Sequence, residues 1–139
     1  MKELFHGTNN ISAVNIMGPP LNVDVKMGKG ELGRGFYLGE EPCLAGTWAR
    51  NRYGQNASVL EFNVDNARLV SLTTEQITRR KLVLRKWNKM KKSGNTDKFL
   101  FNVDLVIAPF ALLEFSHQYK FESMKAQQVI NNSTIKKIL

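Results

Sequence analysis

The sequence predicts a single α+β domain over residues 1–139, and three observations carry that expectation. Apolar runs too short for helices are interspersed with short amphipathic segments, and the strand-like runs are not joined by regular βαβ repeats. A chain of 139 residues with 42% hydrophobic and 23% charged content closes one core but rarely two. Strands are expected at Glu3 to His6, Gly35 to Leu38, Ser58 to Val64, Val103 to Ala108 and Gln118 to Glu122, with a last one at Thr134 to Leu139. Helical signals occur at Ile11 to Met17, where Asn9 and Asn10 offer caps, and at Pro42 to Arg52, behind two glutamates and an N1 proline. The longest helix is expected from Thr73 to Lys92, since Thr73-x-x-Gln76 reads as a capping box and Ser93-Gly94-Asn95 as a stop. A final helix starts at Ser123 and covers Met124, Ala126, Val129 and Ile130.

Composition excludes several function classes. No apolar run approaches the roughly 18 residues of a membrane span, and Met-Lys-Glu-Leu-Phe-His lacks the apolar stretch of a signal peptide, so the chain reads as cytoplasmic. One cysteine and two histidines fall short of a structural zinc set or an internal disulfide. Cys43 is expected to be a small core residue, and its pairing with His6 or His117 as a nucleophile lacks a third, orienting group.

The net charge of +8 has one source. Eight basic residues and no acid lie between Arg79 and Lys92, while elsewhere twelve cations balance twelve acids. On a helical period Ile77, Val83, Leu84, Trp87 and Met90 fall on one side, with Arg79, Lys81, Arg85, Lys86, Lys89 and Lys92 spread over the other. The stems of Arg80 and Lys91 are expected to pack within the apolar arc. Such a face is either a solvated helix surface or a site for a polyanion, and the mutual repulsion of unrelieved cations favours an anionic partner. Nucleic acid leads, with Arg79, Arg80, Arg85, Lys86 and Lys89 as contact residues, and an acidic protein such as an antitoxin is the runner-up.

The most conspicuous motif is Gly28-Lys29-Gly30-Glu31-Leu32-Gly33-Arg34-Gly35-Phe36-Tyr37. It contains Gly-x-Gly-x-x-Gly, but a dinucleotide fingerprint leaves a strand and opens a helix, whereas this segment leads into the strand-like Gly35 to Leu38. The kinase glycine loop fails too, because the chain is too short and no His-Arg-Asp or Asp-Phe-Gly follows. What survives is a backbone able to approach a ligand closely, or a tight loop with no ligand. A second constellation, Leu4-Phe5-His6-Gly7-Thr8, presents an imidazole beside free backbone groups at a strand end.

Taken together, Leu4-Phe5-His6-Gly7-Thr8, then Gly33-Arg34-Gly35-Phe36-Tyr37-Leu38, then Ala45-Gly46-Thr47-Trp48-Ala49 resemble the PARP-like branch of the ADP-ribosyltransferases in order and spacing. Asp104-Leu105-Val106-Ile107-Ala108-Pro109 and Gln118-Tyr119-Lys120-Phe121 extend the resemblance over most of the chain, toward a small bacterial and phage family of minimal PARP-like domains. The resemblance implies two small, mostly antiparallel sheets forming an NAD cleft on which His6, Tyr37 and Gln118 converge. It implies an enzyme that moves one ADP-ribose unit from NAD to a nucleic-acid or protein acceptor, in the role of a toxin or phage-conflict effector. His6 would bond the adenosine ribose of NAD, and Gly7, beside Thr8, the nicotinamide carboxamide. Tyr37, carried by Gly33, Arg34 and Gly35, would stack on the nicotinamide ring with Trp48 on its other side. Without the other motifs, Tyr37 and Trp48 read simply as core aromatics.

The chain departs from the family pattern at two places. The hydroxyl residue three positions before the helix aromatic is Ala45, with Thr47 nearby. The third member of the His-Tyr-Glu set falls on Gln118, which can orient a ribose hydroxyl but cannot supply charge to an oxocarbenium-like sugar. Glu122, on the same face of a regular strand, reads either as a compensating carboxylate or, preferably, as an acid ahead of the last helix. His117 is expected on the opposite face. Three other classes stay open: a catalytically silent NAD or ADP-ribose reader, a basic nucleic-acid-binding module, and an RNA 2′-phosphotransferase, whose arginines have no convincing counterparts in this chain.

Overall fold

The computed structural model describes residues 1–111 and 113–139, with side chains at all of these except 113–115. In chain order the elements are β1 (Lys2–Asn9), α1 (Asn10–Met17), β2 (Lys29–Gly30), β3 (Gly33–Arg34), β4 (Phe36–Gly39) and α2 (Pro42–Tyr53). A 3₁₀ turn (Gly54–Asn56) leads into β5 (Ala57–Val64), α3 (Asn66–Val70), β6 (Thr74–Gln76) and α4 (Arg80–Ser93). The chain ends with β7 (Leu105–Phe110), β8 (Leu113–Phe121), α5 (Met124–Asn131) and β9 (Thr134–Lys137). The fold class is α+β, as expected. No helix among the described residues is long and apolar enough to cross a membrane.

The chain divides into two compact units. The first comprises Met1–Val23, Leu38–Ser71 and Gln128–Leu139. Its frame is antiparallel: β1 pairs with β5 from Lys2 opposite Val64 to Asn9 opposite Ala57, and β5 pairs with β9 from Leu60 opposite Lys137 to Asn63 opposite Thr134. Leu60, Phe62 and Val64 alternate along β5 and are fully buried, which the period-2 pattern of its sequence requires. Helix α1 starts where expected, because the Asn9 side chain accepts from the backbone N–H of Ser12 at 2.8 Å. Helix α2 buries only its small residues Gly46 and Ala49. Cys43 lies in the first turn of α2, ahead of that packed stretch, and is exposed rather than in the core.

The second unit comprises Asp24–Tyr37 and Leu72–Gln127. Strand β7 is the centre of a mixed set, parallel to β6 and antiparallel to β8. The core joins Leu32, Ile77, Val83, Val106, Ala108 and Ala111, with Tyr37, Trp87, Phe101 and Val103 packed against it.

Here the expected Thr73-to-Lys92 helix is corrected. Thr73 does not cap a helix: its N–H and hydroxyl both donate to a carboxylate oxygen of Asp104, at 2.9 and 3.0 Å. Thr74 to Gln76 then pair with Leu105 to Ile107, so ladder hydrogen bonds displace the local capping pattern and the helix begins only at Arg80. It stops as expected, on Gly94 in the left-handed conformation. Val83 and Met90 are buried and Trp87 is half-buried, but Leu84, expected inward, is exposed, and Ile77 reaches the core from outside the helix.

Asp104 also accepts from the hydroxyl of Ser123 at 2.6 Å, while Ser123 caps α5 by accepting from the N–H of Ala126. Partial burial works against ionisation of Asp104. The hydrogen bonds from Ser123 and Thr73, with the Lys125 charge, outweigh it and hold the carboxyl below its ordinary range. A depressed folded-state pKa contributes stability that is present above pH 3.8 and lost as the pH falls through the folded value. The urea midpoint is therefore expected to fall on acidification below about pH 4. Asp104→Asn should lower the neutral-pH midpoint and flatten that fall. An unchanged acid limb in the variant would show that Asp104 is not its source.

Candidate active site

The glycine-rich segment folds as a hairpin in the second unit. Strands β2 and β3 pair Lys29 with Arg34 and Gly30 with Gly33, leaving Glu31 and Leu32 at the tip. Leu32 is fully buried in the core, which anchors the tip. The Tyr37 hydroxyl clasps it again, accepting from the N–H of Leu32 at 3.0 Å and donating to the carbonyl of Gly33 at 2.5 Å. Burial pushes the Tyr37 phenol far above its ordinary range, opposed by the Leu32 hydrogen bond and reinforced by the charges of Glu122 and Glu31. The phenol therefore stays protonated and keeps donating. Gly33 takes a φ of +88°, and a Cβ there would lie 2.5 Å from the carbonyl oxygen of Lys98. A Cβ on Gly30 would sit 2.9 Å from the Tyr37 ring, so the hairpin backs one side of that ring. Arg34 grips neighbouring backbone, donating to the carbonyls of Asp97 at 2.5 Å and of Lys26.

Strand β8 carries the other candidate residues of this unit. Ser116, Gln118, Lys120 and Glu122 alternate along the chain and are all buried, while His117 and Tyr119 between them are half-buried. Gln118 Nε2 donates to Glu31 Oε1 at 2.9 Å and to the carbonyl of Pro109 at 3.2 Å. Glu31 Oε1 also accepts from the N–H of Ala111 at 2.9 Å. Glu122 is not an open acid at the helix start. It is ion-paired with Lys120, and accepts from the N–H of Leu100 at 3.1 Å. Lys120 also donates to the carbonyl of Leu32 at 2.5 Å and lies 5.0 Å from the Phe101 ring centre. Desolvation lowers the Lys120 pKa, and Glu122 works against that by favouring the charged form. Gly35 makes room for this cation, since a Cβ there would come within 2.7 Å of the Lys120 stem.

The expected residues of the first unit are His6, Gly7, Thr8 and Trp48. His6, Gly7 and Thr8 lie within β1 opposite Leu60, Val59 and Ser58, because the strand runs on to Asn9 rather than ending at His6. Thr8 is buried and His6 half-buried. A Cβ on Gly7 would stand 2.4 Å from the carbonyl oxygen of Ala45, so glycine is what lets α2 approach the strand. Trp48 on α2 is half exposed, with Tyr53 edge-on at 6.0 Å and the Arg52 guanidinium 5.5 Å from its ring.

The structure therefore brings Gly33, Arg34, Gly35, Tyr37, Gln118 and Glu122 together in one unit, and His6, Gly7, Thr8 and Trp48 in the other. On α4, Arg85, Lys89 and Lys92 share one exposed helix face with Asn88 and Ser93. Lys86 lies over the Phe101 ring and Lys91 over the Trp87 ring, at 5.1 and 4.2 Å. Sequence reading missed Glu31 and Lys120. The signals were present: Glu31 is the only acid in the glycine segment, and Lys120 shares strand parity with both Gln118 and Glu122. No protein-family model matches the chain, and no curated protein matches its sequence.

Proposed function

We propose that the chain is a mono-ADP-ribosyltransferase that takes NAD as substrate and releases nicotinamide. In the reaction the bond between ribose C1′ and the nicotinamide nitrogen breaks, with the electron pair leaving on nicotinamide. A new bond forms from C1′ to an acceptor nucleophile, whose proton passes to solvent. The carrying observation is that Gln118 is hydrogen-bonded to the glycine hairpin that also holds Tyr37, joining two motifs 87 residues apart in sequence. In this reading Tyr37 stacks on the nicotinamide and Gln118 orients the reacting ribose, while His6, Gly7, Thr8 and Trp48 keep the roles that the resemblance implies. The second reading, an NAD or ADP-ribose reader without turnover, is favoured by the neutral amide at that last position. Incubation with NAD labelled on the adenylate and a cell lysate separates them: covalent label on protein or nucleic acid supports the transferase, and reversible binding alone supports the reader.

The acceptor proposed is nucleic acid, held through α4. Arg79, Arg80, Arg85, Lys86 and Lys89 are all exposed, in a stretch from Arg79 to Lys92 whose sequence contains no acid. Binding to single-stranded RNA or DNA is expected to weaken steeply with salt. Changing Arg85, Lys86 and Lys89 together to glutamine should lower affinity and flatten the salt slope by about three contacts. Affinity that is absent at low salt, or indifferent to salt and to these changes, would overturn the nucleic-acid reading and leave either an acidic protein partner, such as an antitoxin, or a solvated helix face.

A further inference from the structure

The amide at residue 118 is held in one orientation, and a carboxylate from the hairpin tip holds it there. Both groups facing Gln118 Nε2 are pure acceptors, Glu31 Oε1 at 2.9 Å and the Pro109 carbonyl at 3.2 Å. Each takes one of the two amide hydrogens, and a flipped amide would set its oxygen against two other oxygens. Oε1 is thereby left as the end able to accept a hydroxyl hydrogen, the half of a glutamate's work that a neutral amide can do. Charge is the other half. A hydrogen bond from the amide nitrogen to an ionised carboxylate pushes electron density toward Oε1, so the charge of Glu31 would be relayed through the amide to a group bonded at Oε1.

Glu31 is well placed to do this. Its Oε1 is also held by the N–H of Ala111, and the tip that carries it is fixed by buried Leu32 and by the Tyr37 hydroxyl. We propose that Glu31 is the carboxylate on which turnover at Gln118 depends, a positioning residue that orients and polarises the Gln118 amide. The assignment rests on the transferase reading.

The test compares nicotinamide release by wild type, E31Q and the exchanged pair E31Q/Q118E. E31Q is expected to lower kcat about 100-fold with little change in KM for NAD, because the lost charge matters in the transition state rather than in binding. E31Q/Q118E returns one carboxylate and one amide to the pair, and should recover at least about tenfold of that loss. E31Q with wild-type kcat, or an exchanged pair no better than E31Q, overturns the assignment while leaving the transferase reading in place. A folded wild-type chain that releases no nicotinamide overturns both. Should E31Q fail to fold, Q118E alone reads the same coupling. Two carboxylates within hydrogen-bond distance share a proton, so its kcat must gain an ionisation that wild type lacks, and an unchanged pH profile overturns the proposal.

Discussion

Replacing Lys120 by methionine is expected to cost about 3–5 kcal/mol of stability, because it strands the Glu122 carboxylate in the interior without its cation. Lys120 is fully buried and Glu122 nearly so, and the pair bridges β8 to the hairpin tip through the Leu32 carbonyl. A loss of that size is a large fraction of the roughly 5–15 kcal/mol that holds a small domain together. The pair itself is worth less than its breakage, since two charges had to be desolvated to make it. The double variant K120M/E122Q keeps an acceptor for the N–H of Leu100 and removes both charges, and should therefore be more stable than K120M by about 2 kcal/mol. Urea denaturation of the three variants K120M, E122Q and K120M/E122Q against wild type completes the cycle. K120M within about 1 kcal/mol of wild type would mean that water reaches Glu122 and the pair is not desolvated.

His6→Ala is expected to reduce NAD consumption about 100-fold, the scale on which a misplaced substrate loses rate, while the fold survives. His6 is half-buried within a strand whose ladder to β5 is made by backbone groups, so removal of the imidazole leaves that frame standing. Thermal unfolding reports the fold and nicotinamide release the activity. A folded His6→Ala chain with wild-type turnover would remove His6 from the mechanism. Tyr37→Ala cannot serve the same purpose, because the phenol holds Leu32 and Gly33 and its loss would loosen the hairpin.

What the sequence revealed and what it hid divide along the distance between interacting residues. Asn9 capping α1 and Gly94 ending α4 are local, and both were legible from residue type. The alternation in β5 was legible for the same reason, since period and neighbour settle it. Thr73 was misread because its partner, Asp104, is 31 residues away and competes successfully for the hydroxyl that a capping box would use. Gln118 was singled out by motif, but its carboxylate partner lies 87 residues earlier, and no pattern along the chain links the two. Strand β8 hid more. Glu122 reads as a compensating carboxylate or an acid ahead of the last helix, yet it is buried with Lys120 as a neutralising pair, which no local pattern announces. The glycines were legible as close-approach positions, whereas what approaches them was not: the Tyr37 ring at Gly30, the Lys120 stem at Gly35 and helix α2 at Gly7.

Cleavage of the bond between nicotinamide and ribose in NAD, the activity proposed for this chain, is read most directly from the time course of free nicotinamide released from NAD by the purified chain in the presence of a nucleic-acid acceptor. The proposed activity requires release that exceeds one equivalent per chain and falls with His6→Ala and with E31Q. Release no greater than that of a denatured sample, from a chain shown to be folded by its thermal transition, would contradict it.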